Sequence, residues 1–168
     1  MKSELTFKRL HELLRYDPLT GKFWWRKTQS NRAVAGSEAG SLRGRGDVGI
    51  RIDGVEYKAH RLAWFYVSGR WPPDQIDHQD REPSHNWWTN LRLADNSQNN
   101  ANRPGREGTA TGVKNVSFYP RKSKANPYVA YGSRNQKRIY IGAFPTLEAA
   151  SEAALRHARE EYGEFAHA

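Results

Sequence analysis

The sequence contains no cysteine and no long apolar run. Without cysteine, the chain can form neither disulfides nor cysteine-based zinc ribbons, and this composition suits a reducing cytosol. No apolar stretch approaches the roughly 20 residues that are needed to span a bilayer. Residues 1–14 are charged and lack the apolar core of a signal peptide. We therefore expect a soluble, intracellular protein that does not bind membranes.

Leu, Ile and Val are also scarce for a chain of 168 residues, of which 37% are hydrophobic and 27% are charged. These values predict a folded chain that forms one ordinary domain or two small ones, with small cores. The net charge of +9 indicates a polyanionic partner, most often nucleic acid. Charge alone leaves a merely soluble basic protein open as an alternative.

The basic charge is concentrated in one segment. Residues 106–138 hold eight Lys or Arg and one Glu, whereas residues 139–168 hold two Arg and five Glu. A segment of this kind favours binding of a phosphate backbone by that part of the chain.

The first half of the chain predicts short elements. Thr6 is a suitable N-cap for a helix, because apolar residues recur at helical spacing after it. Residues 23–25 predict a strand, and residues 28–46 predict a basic linker or loose loop. Two alternating runs that are joined by Asp53-Gly54 predict a β-hairpin. Further elements are expected as a helix at 60–68, strands at 75–77 and 91–93, and a helix at 97–103.

The second half predicts three strands and one helix. Val116 and Phe118, Tyr128 and Ala130, and Ile139 and Ile141 each alternate with residues on the other face. Thr146 is a suitable cap for a helix that continues to about Tyr162. The sequence therefore predicts a small three-stranded antiparallel sheet packed on one helix.

A carboxylate and an imidazole stand side by side at Asp77 and His78. Asn90 lies twelve residues after the histidine, and Asn99 lies nine residues after Asn90. Asp77 and Asn99 can offer oxygen atoms to one cation, and such ligands suit Mg²⁺ or Mn²⁺ rather than zinc. We predict one divalent ion per site, completed by phosphate oxygens because a single carboxylate holds Mg²⁺ weakly.

His78 is the candidate general base. It points to the opposite side of an extended chain from Asp77, where a neutral imidazole can take a proton from the attacking water. We expect Asn90 to hydrogen-bond across the loop and to fix the imidazole orientation. Arg103, one helical turn after Asn99, is suited to bind the phosphate and its developing charge. These residue types alone also fit an ordinary loop.

Longer motifs in a fixed order carry a resemblance. They are Tyr16-Asp17-Pro18-Leu19-Thr20-Gly21, His60-Arg61-Leu62-Ala63-Trp64, Ile76-Asp77-His78, Asn90-Leu91-Arg92 and Ser97-Gln98-Asn99-Asn100. Together they strongly resemble phage HNH endonucleases of the homing type over most of residues 7–104. The resemblance implies a ββα-metal motif in which Asp77 and Asn99 bind the metal, His78 is the general base and Asn90 supports it. It places a nuclease domain at 47–105, after an N-terminal part at 1–46 with a helix, a short strand and the basic linker.

The loop after the Asp-His pair departs from that family. Residues 79–83 replace a turn that often contains glycine, and Trp87 stands where an arginine is often found. These departures concern contacts of the loop with substrate. His60, which opens a helix after a hairpin, is expected to be structural, and His85 is expected to face solvent or phosphate. Neither forms a zinc set with His78, because no paired spacing is present.

Residues 112–166 resemble the APETALA2-type DNA-binding domain, known from plant transcription factors and from fusions to phage HNH nucleases. The resemblance is carried by Asn115-Val116, Tyr128-Val129-Ala130, 138–144 and 146–154. It implies a DNA-binding domain at 106–168 in which the sheet, and not the helix, enters the major groove. Strand alternation independently assigns an outward face. The predicted DNA-binding residues are Lys114, Ser117, Tyr119, Arg121, Tyr131, Ser133, Arg134, Lys137, Arg138 and Tyr140.

The sequence thus predicts an α+β chain that is a metal-dependent, site-specific endonuclease for double-stranded DNA. It is expected to act as a monomer or homodimer, by nicking or double-strand cutting, and to be phage-encoded and cytoplasmic in a bacterial host. Two alternatives stay open. One is a catalytically silent DNA-binding regulatory protein, and the other is an RNA-binding module that stacks bases on its Trp and Tyr residues.

Overall fold

The structure is a computed structural model that describes residues 5–105, 108–134 and 137–166. The chain divides into two compact units, Met1–Ala94 and Asp95–Ala168. Both contain helices and small antiparallel sheets, as the sequence predicts. The three-part division at residues 46 and 105 stays a prediction. No helix of the described ranges is long and apolar enough to cross a membrane.

The first unit consists of short helices and strands in three sheets. The elements are α1 (Phe7–Leu13), β1 (Leu14–Tyr16), β2 (Phe23–Trp25), β3 (Glu38–Ala39), β4 (Ser41–Leu42), β5 (Val48–Ile52), β6 (Val55–Lys58), α2 (Ala59–Ser68), β7 (Gln75–His78) and β8 (Leu91–Ala94). The sheets have the strand orders β1-β2-β3, β4-β5-β6 and β7-β8, and all pairs are antiparallel.

Local sequence explains these boundaries. The side chain of Thr6 accepts a hydrogen bond from Arg9 N and so caps α1. Asp53 and Gly54 have φ angles of 47° and 78°, the positive values of the two-residue turn that best joins antiparallel strands. Gly69 ends α2 in the left-handed conformation.

The segment 28–46 differs from the prediction of a loose linker. It contributes β3, which pairs with β2, and β4, which pairs with β5. The strands have two residues each, too short to give an alternating pattern in the sequence, so composition alone misassigned the segment.

One hydrophobic core holds the first unit together. Its cluster combines residues of α1, β1, β2, β5 and α2, and it continues into β7 and β8 through Ile76 and Leu91. The strand pair β7-β8 is thereby fixed to the rest of the unit by apolar packing. The largest fully buried side chains are Leu10, Leu13, Leu14, Phe23, Ile50, Ile52 and Leu62.

The second unit begins with a short helix and ends with a long one. Asp95 caps the first helix in a capping box with Gln98, and Thr146 caps the last. The elements are α3 (Asn96–Asn102), β9 (Val116–Phe118), β10 (Tyr128–Arg134), β11 (Lys137–Phe144) and α4 (Leu147–Tyr162). The strand order is β11-β10-β9, again antiparallel.

A β-bulge sets the two faces of this sheet. Ala130 pairs with Gly142 and Tyr131 pairs with Tyr140, so that Ile141 is an extra residue in β11. Strict alternation would place Ile141 and Phe144 on opposite faces of the sheet. Because of the bulge, both side chains pack against the same buried cluster. That cluster consists of Val116, Ala130, Ala150, Ala153 and Ala154.

Candidate active site and nucleic-acid interface

Strand β7 ends at the predicted catalytic pair. Asp77 and His78 are its last two residues, and they lie opposite Arg92 and Leu91 of β8. Successive side chains of a strand point to opposite faces, so the carboxylate and the imidazole project to different sides. Both residues are buried, with exposed fractions of 4% for Asp77 and 8% for His78. Buried groups of this polarity need partners in the protein.

Arg92 is the cross-strand partner of Asp77. Its Nε donates to Asp77 Oδ2 at 2.9 Å, and its Nη2 lies 2.9 Å from the same oxygen. The side chains are only 11% and 5% exposed. A buried carboxylate is costly unless a partner of opposite charge compensates it. Arg92 thus orients Asp77 and balances its charge.

His78 is hydrogen-bonded to Asn86 in the loop between β7 and β8. The distance from His78 Nε2 to Asn86 Oδ1 is 3.2 Å, and Asn86 Nδ2 donates to the carbonyl oxygen of Ser84 at 2.9 Å. A carbonyl oxygen only accepts, so the second bond identifies Oδ1 as the atom of Asn86 that faces the ring. His78 Nε2 therefore carries the hydrogen, and Nδ1 carries the lone pair of the neutral ring.

The surroundings of His78 favour the neutral ring. Burial lowers the pKa of His78 below its ordinary value, although the hydrogen bond with Asn86 acts in the other direction. His60, in the first turn of α2, packs edge-on against His78 with ring centroids 5.2 Å apart. Burial lowers the pKa of His60 to about 3. Two neutral rings can pack in this way without mutual repulsion, which supports a structural role for His60.

Asn90 holds the loop rather than the imidazole. Its Oδ1 accepts from Asp80 N at 3.0 Å, and its Nδ2 donates to Asp80 Oδ1 at 2.9 Å and to the carbonyl oxygen of His85 at 2.8 Å. The expected hydrogen bond across the loop is present. The contact with the His78 ring is made by Asn86, four residues earlier, because the loop folds back between Asp80 and His85.

Asp80 and His85 form a second pair in the same loop. His85 Nδ1 lies 2.6 Å from Asp80 Oδ2, and the His85 ring packs against Trp87 with centroids 4.5 Å apart. Burial acts to raise the pKa of Asp80, but hydrogen bonds from Glu82 N, His85 and Asn90 keep it below the ordinary value. Asp80 thus stabilises the loop, because it is hydrogen-bonded to both His85 and Asn90.

The two predicted metal ligands lie in different units of the chain. Asp77 belongs to the first unit, and Asn99 lies in α3 of the second. Their joint coordination of an ion stays a prediction. Within the described residues there is no group of three or more His, Cys, Asp or Glu side chains that could hold a metal ion. The predicted ligands, a carboxylate and an amide oxygen, are of the kind that Mg²⁺ or Mn²⁺ prefers.

The outward face of the second unit's sheet carries a cluster of Tyr, Ser and Arg. The guanidinium of Arg138 lies 3.4 Å from the centroid of the Tyr131 ring, and its Nη2 donates to Ser117 Oγ at 3.4 Å. The side chains of Ser117 and Tyr131 lower the pKa of Tyr119 below its ordinary value. Tyr140 lies beside Tyr131 and is 62% exposed. We call these five residues the tyrosine–arginine face.

The structure also gives the positions of three other basic residues, whose predicted contacts with DNA or phosphate stay predictions. Lys114 Nζ donates to the carbonyl oxygens of Asn100, Ala101 and Arg103 at 2.6–2.8 Å. Its charge therefore stabilises the end of α3, where carbonyl groups lack helical partners. Arg134 is bound to Glu161 of α4 at 2.9 Å. Arg103 is the C-cap of α3, one residue beyond the helix that was expected to include it, and it is exposed.

The remaining predicted DNA-binding residues lie at the margins of this sheet. Arg121 and Lys137 are exposed. Ser133 is partly buried and pairs with Arg138 across the strands, while its carbonyl oxygen accepts a hydrogen bond from Tyr162 of α4. The role of each in DNA binding stays a prediction.

Sequence reasoning missed Asn86 and Arg92 as members of the site. The signal for Arg92 was present, because the antiparallel strands around the loop place it opposite Asp77. Asn86 gave no such signal, because the path of an irregular loop decides which of its amides reaches the ring.

Comparisons with known proteins agree with part of this picture. Residues 57–101 match the family model of HNH endonucleases. No curated protein matches the chain. A solved structure concerned with DNA binding and cleavage by the HNH homing endonuclease I-HmuI aligns with 20% identity and a TM-score of 0.44, over 88% of this chain and 80% of that one. The match at residues 57–101 spans Asp77, His78, Asn86, Asn90 and Arg92.

Proposed function

We propose that the chain is a metal-dependent endonuclease that hydrolyses phosphodiester bonds of duplex DNA at preferred sites. The observation that carries this proposal is the buried pair Asp77–His78, with the hydrogen of the ring directed to Asn86. The pair lies within the segment that matches HNH endonucleases. A buried carboxylate beside a neutral, oriented imidazole is suited to hydrolytic chemistry.

His78 is the proposed general base. Nδ1 carries the lone pair and takes a proton from the attacking water, while Nε2 keeps its hydrogen bond to Asn86. Burial lowers the pKa of His78, so the ring is in the form that can accept a proton at neutral pH. Asn90 keeps the loop in place through Asp80 and His85.

Asp77 and Asn99 are the proposed ligands of one Mg²⁺ or Mn²⁺ ion. Both supply oxygen atoms of the kind that these ions prefer, and Arg92 holds the Asp77 carboxylate in place. When bound, the ion supplies positive charge that stabilises the leaving 3′ oxygen. Arg103 is proposed to bind the phosphate. By resemblance, the products carry a 5′-phosphate and a 3′-hydroxyl.

The second unit is proposed to provide affinity and position on the DNA. Support comes from the tyrosine–arginine face, where an arginine is held by a tyrosine ring and a serine, and from the resemblance to APETALA2-type domains. Arg and Tyr together suit phosphate contacts and packing in a groove. Each chain has one site, so a monomer is expected to nick, and a homodimer or two turnovers to cut both strands.

The alternative function is that of a catalytically silent DNA-binding protein. The Arg92–Asp77 ion pair favours it, because a guanidinium already occupies one oxygen of the carboxylate that is proposed to hold the ion. The RNA-binding alternative rests on aromatic residues alone, and competition between duplex DNA and single-stranded RNA decides it.

A nicking assay on duplex DNA tests the proposal. Cleavage that requires Mg²⁺ or Mn²⁺ and stops with EDTA is the expected result. Tight DNA binding without cleavage in any divalent ion would favour the silent DNA-binding protein. Cleavage that persists in EDTA, or that needs Zn²⁺, would contradict the ion assignment.

A further inference from the structure

The N-terminal motif at residues 16–21 lies against the loop that orients His78. This motif forms the turn between β1 and β2. The motif is far in sequence from Asp77 and His78, and the chemistry proposed for His78 does not involve it. Its contacts with the loop at Asn86 indicate a role in positioning that loop.

Three contacts join this turn to the loop at Asn86 and its neighbours. Tyr16 Oη donates to the carbonyl oxygen of Asn86 at 2.7 Å, in a buried hydrogen bond. Trp88 N donates to the carbonyl oxygen of Pro18 at 2.8 Å. Gly21 supplies the third contact through close approach of the two backbones. The loop is therefore fixed on both sides of the peptide that follows Asn86.

Gly21 is required at its position for two reasons. Its φ angle is +73°, which side chains rarely adopt, and an added Cβ would lie 2.8 Å from Asn86 O and closer still to Asn86 C and Trp87 N. Real Cβ atoms essentially never come within 3.0 Å of such atoms. The clashing atoms belong to the backbone of Asn86 and Trp87. A backbone cannot move aside as the end of a flexible side chain can. Any larger residue would push the loop away from the turn.

Asp17 gives the turn its shape. Its carboxylate accepts hydrogen bonds from Leu19 N at 2.9 Å and from Thr20 Oγ1 at 3.0 Å, and its carbonyl oxygen accepts from Gly21 N at 2.8 Å. An Asp side chain commonly stabilises a turn in this way. The motif is thus a rigid turn whose outer surface consists of the Tyr16 hydroxyl, the Pro18 carbonyl and the bare Cα of Gly21.

We infer that the turn at residues 16–21 positions the catalytic histidine through Asn86. The chain of contacts runs from Tyr16 and Gly21 to the Asn86 backbone, and from the Asn86 side chain to His78 Nε2. Tyr16 and Gly21 are positioning residues, because neither touches His78. The inference rests on the proposed function for its effect on cleavage, but the orientation of the ring is measurable without cleavage.

The test compares two glycine variants of the full-length chain. Gly21→Ala and Gly69→Ala replace glycines that share a φ angle of +73°, but a Cβ at Gly69 meets nothing within 4 Å. Both variants therefore place a side chain at the same positive φ, and Gly21→Ala alone brings a Cβ against the loop backbone. Tyr16→Phe removes only the hydroxyl, and its matched control is Tyr66→Phe, because the Tyr66 ring packs against Tyr16 in the same core.

Two readouts are needed. The first is the ¹⁵N spectrum of His78 in the neutral ring, assigned by loss of its signals in His78→Ala, which reports the nitrogen that carries the hydrogen. The second is the single-turnover cleavage rate at saturating DNA, together with DNA affinity. Residues that orient a functional group through another residue typically contribute about 10- to 100-fold to activity.

For Gly21→Ala and Tyr16→Phe, we expect His78 to lose its preference for the Nε2–H form. Cleavage should fall about 10- to 100-fold in Gly21→Ala and less in Tyr16→Phe, with DNA affinity unchanged. Both controls should match the parent chain. If Gly21→Ala does not fold, Tyr16→Phe against Tyr66→Phe decides the inference.

An unchanged ring spectrum in both turn variants would overturn the inference, whatever happens to cleavage. Equal changes in Gly69→Ala would also overturn it, because strain alone would then explain them. If the parent chain cuts no DNA, the proposed function fails, and the ring spectrum still decides whether the turn positions His78.

Discussion

Arg92 lies directly opposite Asp77 across β7 and β8, and its guanidinium binds Asp77 Oδ2 at 2.9 Å. The pair is buried, so each charge depends on the other for compensation. The carboxylate proposed to bind a metal ion is therefore held by an internal cation. We expect this ion pair to matter for stability and for the position of the carboxylate.

Arg92→Met should destabilise the first unit by about 3–5 kcal/mol, because it leaves a buried carboxylate without its partner. Urea denaturation gives the free energy of unfolding. The matched control is Arg51→Met in β5, where the arginine is exposed. The double variant Asp77→Asn/Arg92→Met should lose less than Arg92→Met alone, since no buried charge remains. Equal stability of the Arg92 and Arg51 variants would contradict the role of the pair.

Lys114→Met should lower the stability of the second unit by about 1–3 kcal/mol, because three carbonyl groups at the end of α3 lose their donor. It should leave the salt dependence of DNA binding nearly unchanged, since the ammonium group is directed to these carbonyls. A large loss of DNA affinity with no loss of stability would instead support the sequence-based prediction that Lys114 contacts DNA.

Arg138→Ala should weaken DNA binding and reduce the slope of log affinity against log salt by about one unit if it neutralises one phosphate. Tyr140→Ala should weaken binding without that change in slope, because tyrosine is uncharged. Binding titrations over a range of salt concentrations measure both effects. The control is Arg156→Ala on an exposed position of α4. Equal effects of Arg138→Ala and Arg156→Ala would show that the tyrosine–arginine face is not the binding surface.

The stability of the first unit should fall in acid because of His60. Its pKa is about 3 in the folded chain, compared with an ordinary value of 6.5. Above pH 6.5 both states hold a neutral ring. As the pH falls from 6.5 towards 3, His60 becomes protonated in the unfolded state but stays neutral in the folded state. The free energy of unfolding therefore falls.

The loss should approach about 1.4 kcal/mol per pH unit for this one proton, and His78 acts in the same direction. His60→Phe should flatten the dependence in the same window while it preserves a ring that packs against His78. Urea denaturation at several pH values measures the slope. A slope unchanged by His60→Phe would contradict this account.

Much of the fold followed from local sequence. The turn at Asp53-Gly54, the caps at Thr6 and Thr146, and the three strands of the second sheet were predicted from patterns that act over a few residues. The short strands in 28–46 were not, because two-residue strands form only when a neighbouring strand is already in place. Alternation on β11 was interrupted by a bulge at Ile141, which no local pattern marks.

The residues of the candidate site also divide into those that local sequence indicates and those that only tertiary contacts determine. Asp77 and His78 were identified because they are adjacent in the sequence and belong to a recognisable motif. Asn86 was missed, because tertiary contacts between Tyr16, Gly21 and the loop decide which amide faces His78. Such contacts join residues about 70 positions apart, and no periodicity encodes them.

The most direct test of the account is the single-turnover cleavage rate of His78→Ala on duplex DNA with Mg²⁺, measured beside DNA affinity. Loss of a positioned general base should reduce the rate by about 10²- to 10⁴-fold, with affinity close to that of the parent chain. A cleavage rate within about threefold of the parent chain would be far from the expected loss. It would reject His78 as the base and with it the proposed mechanism.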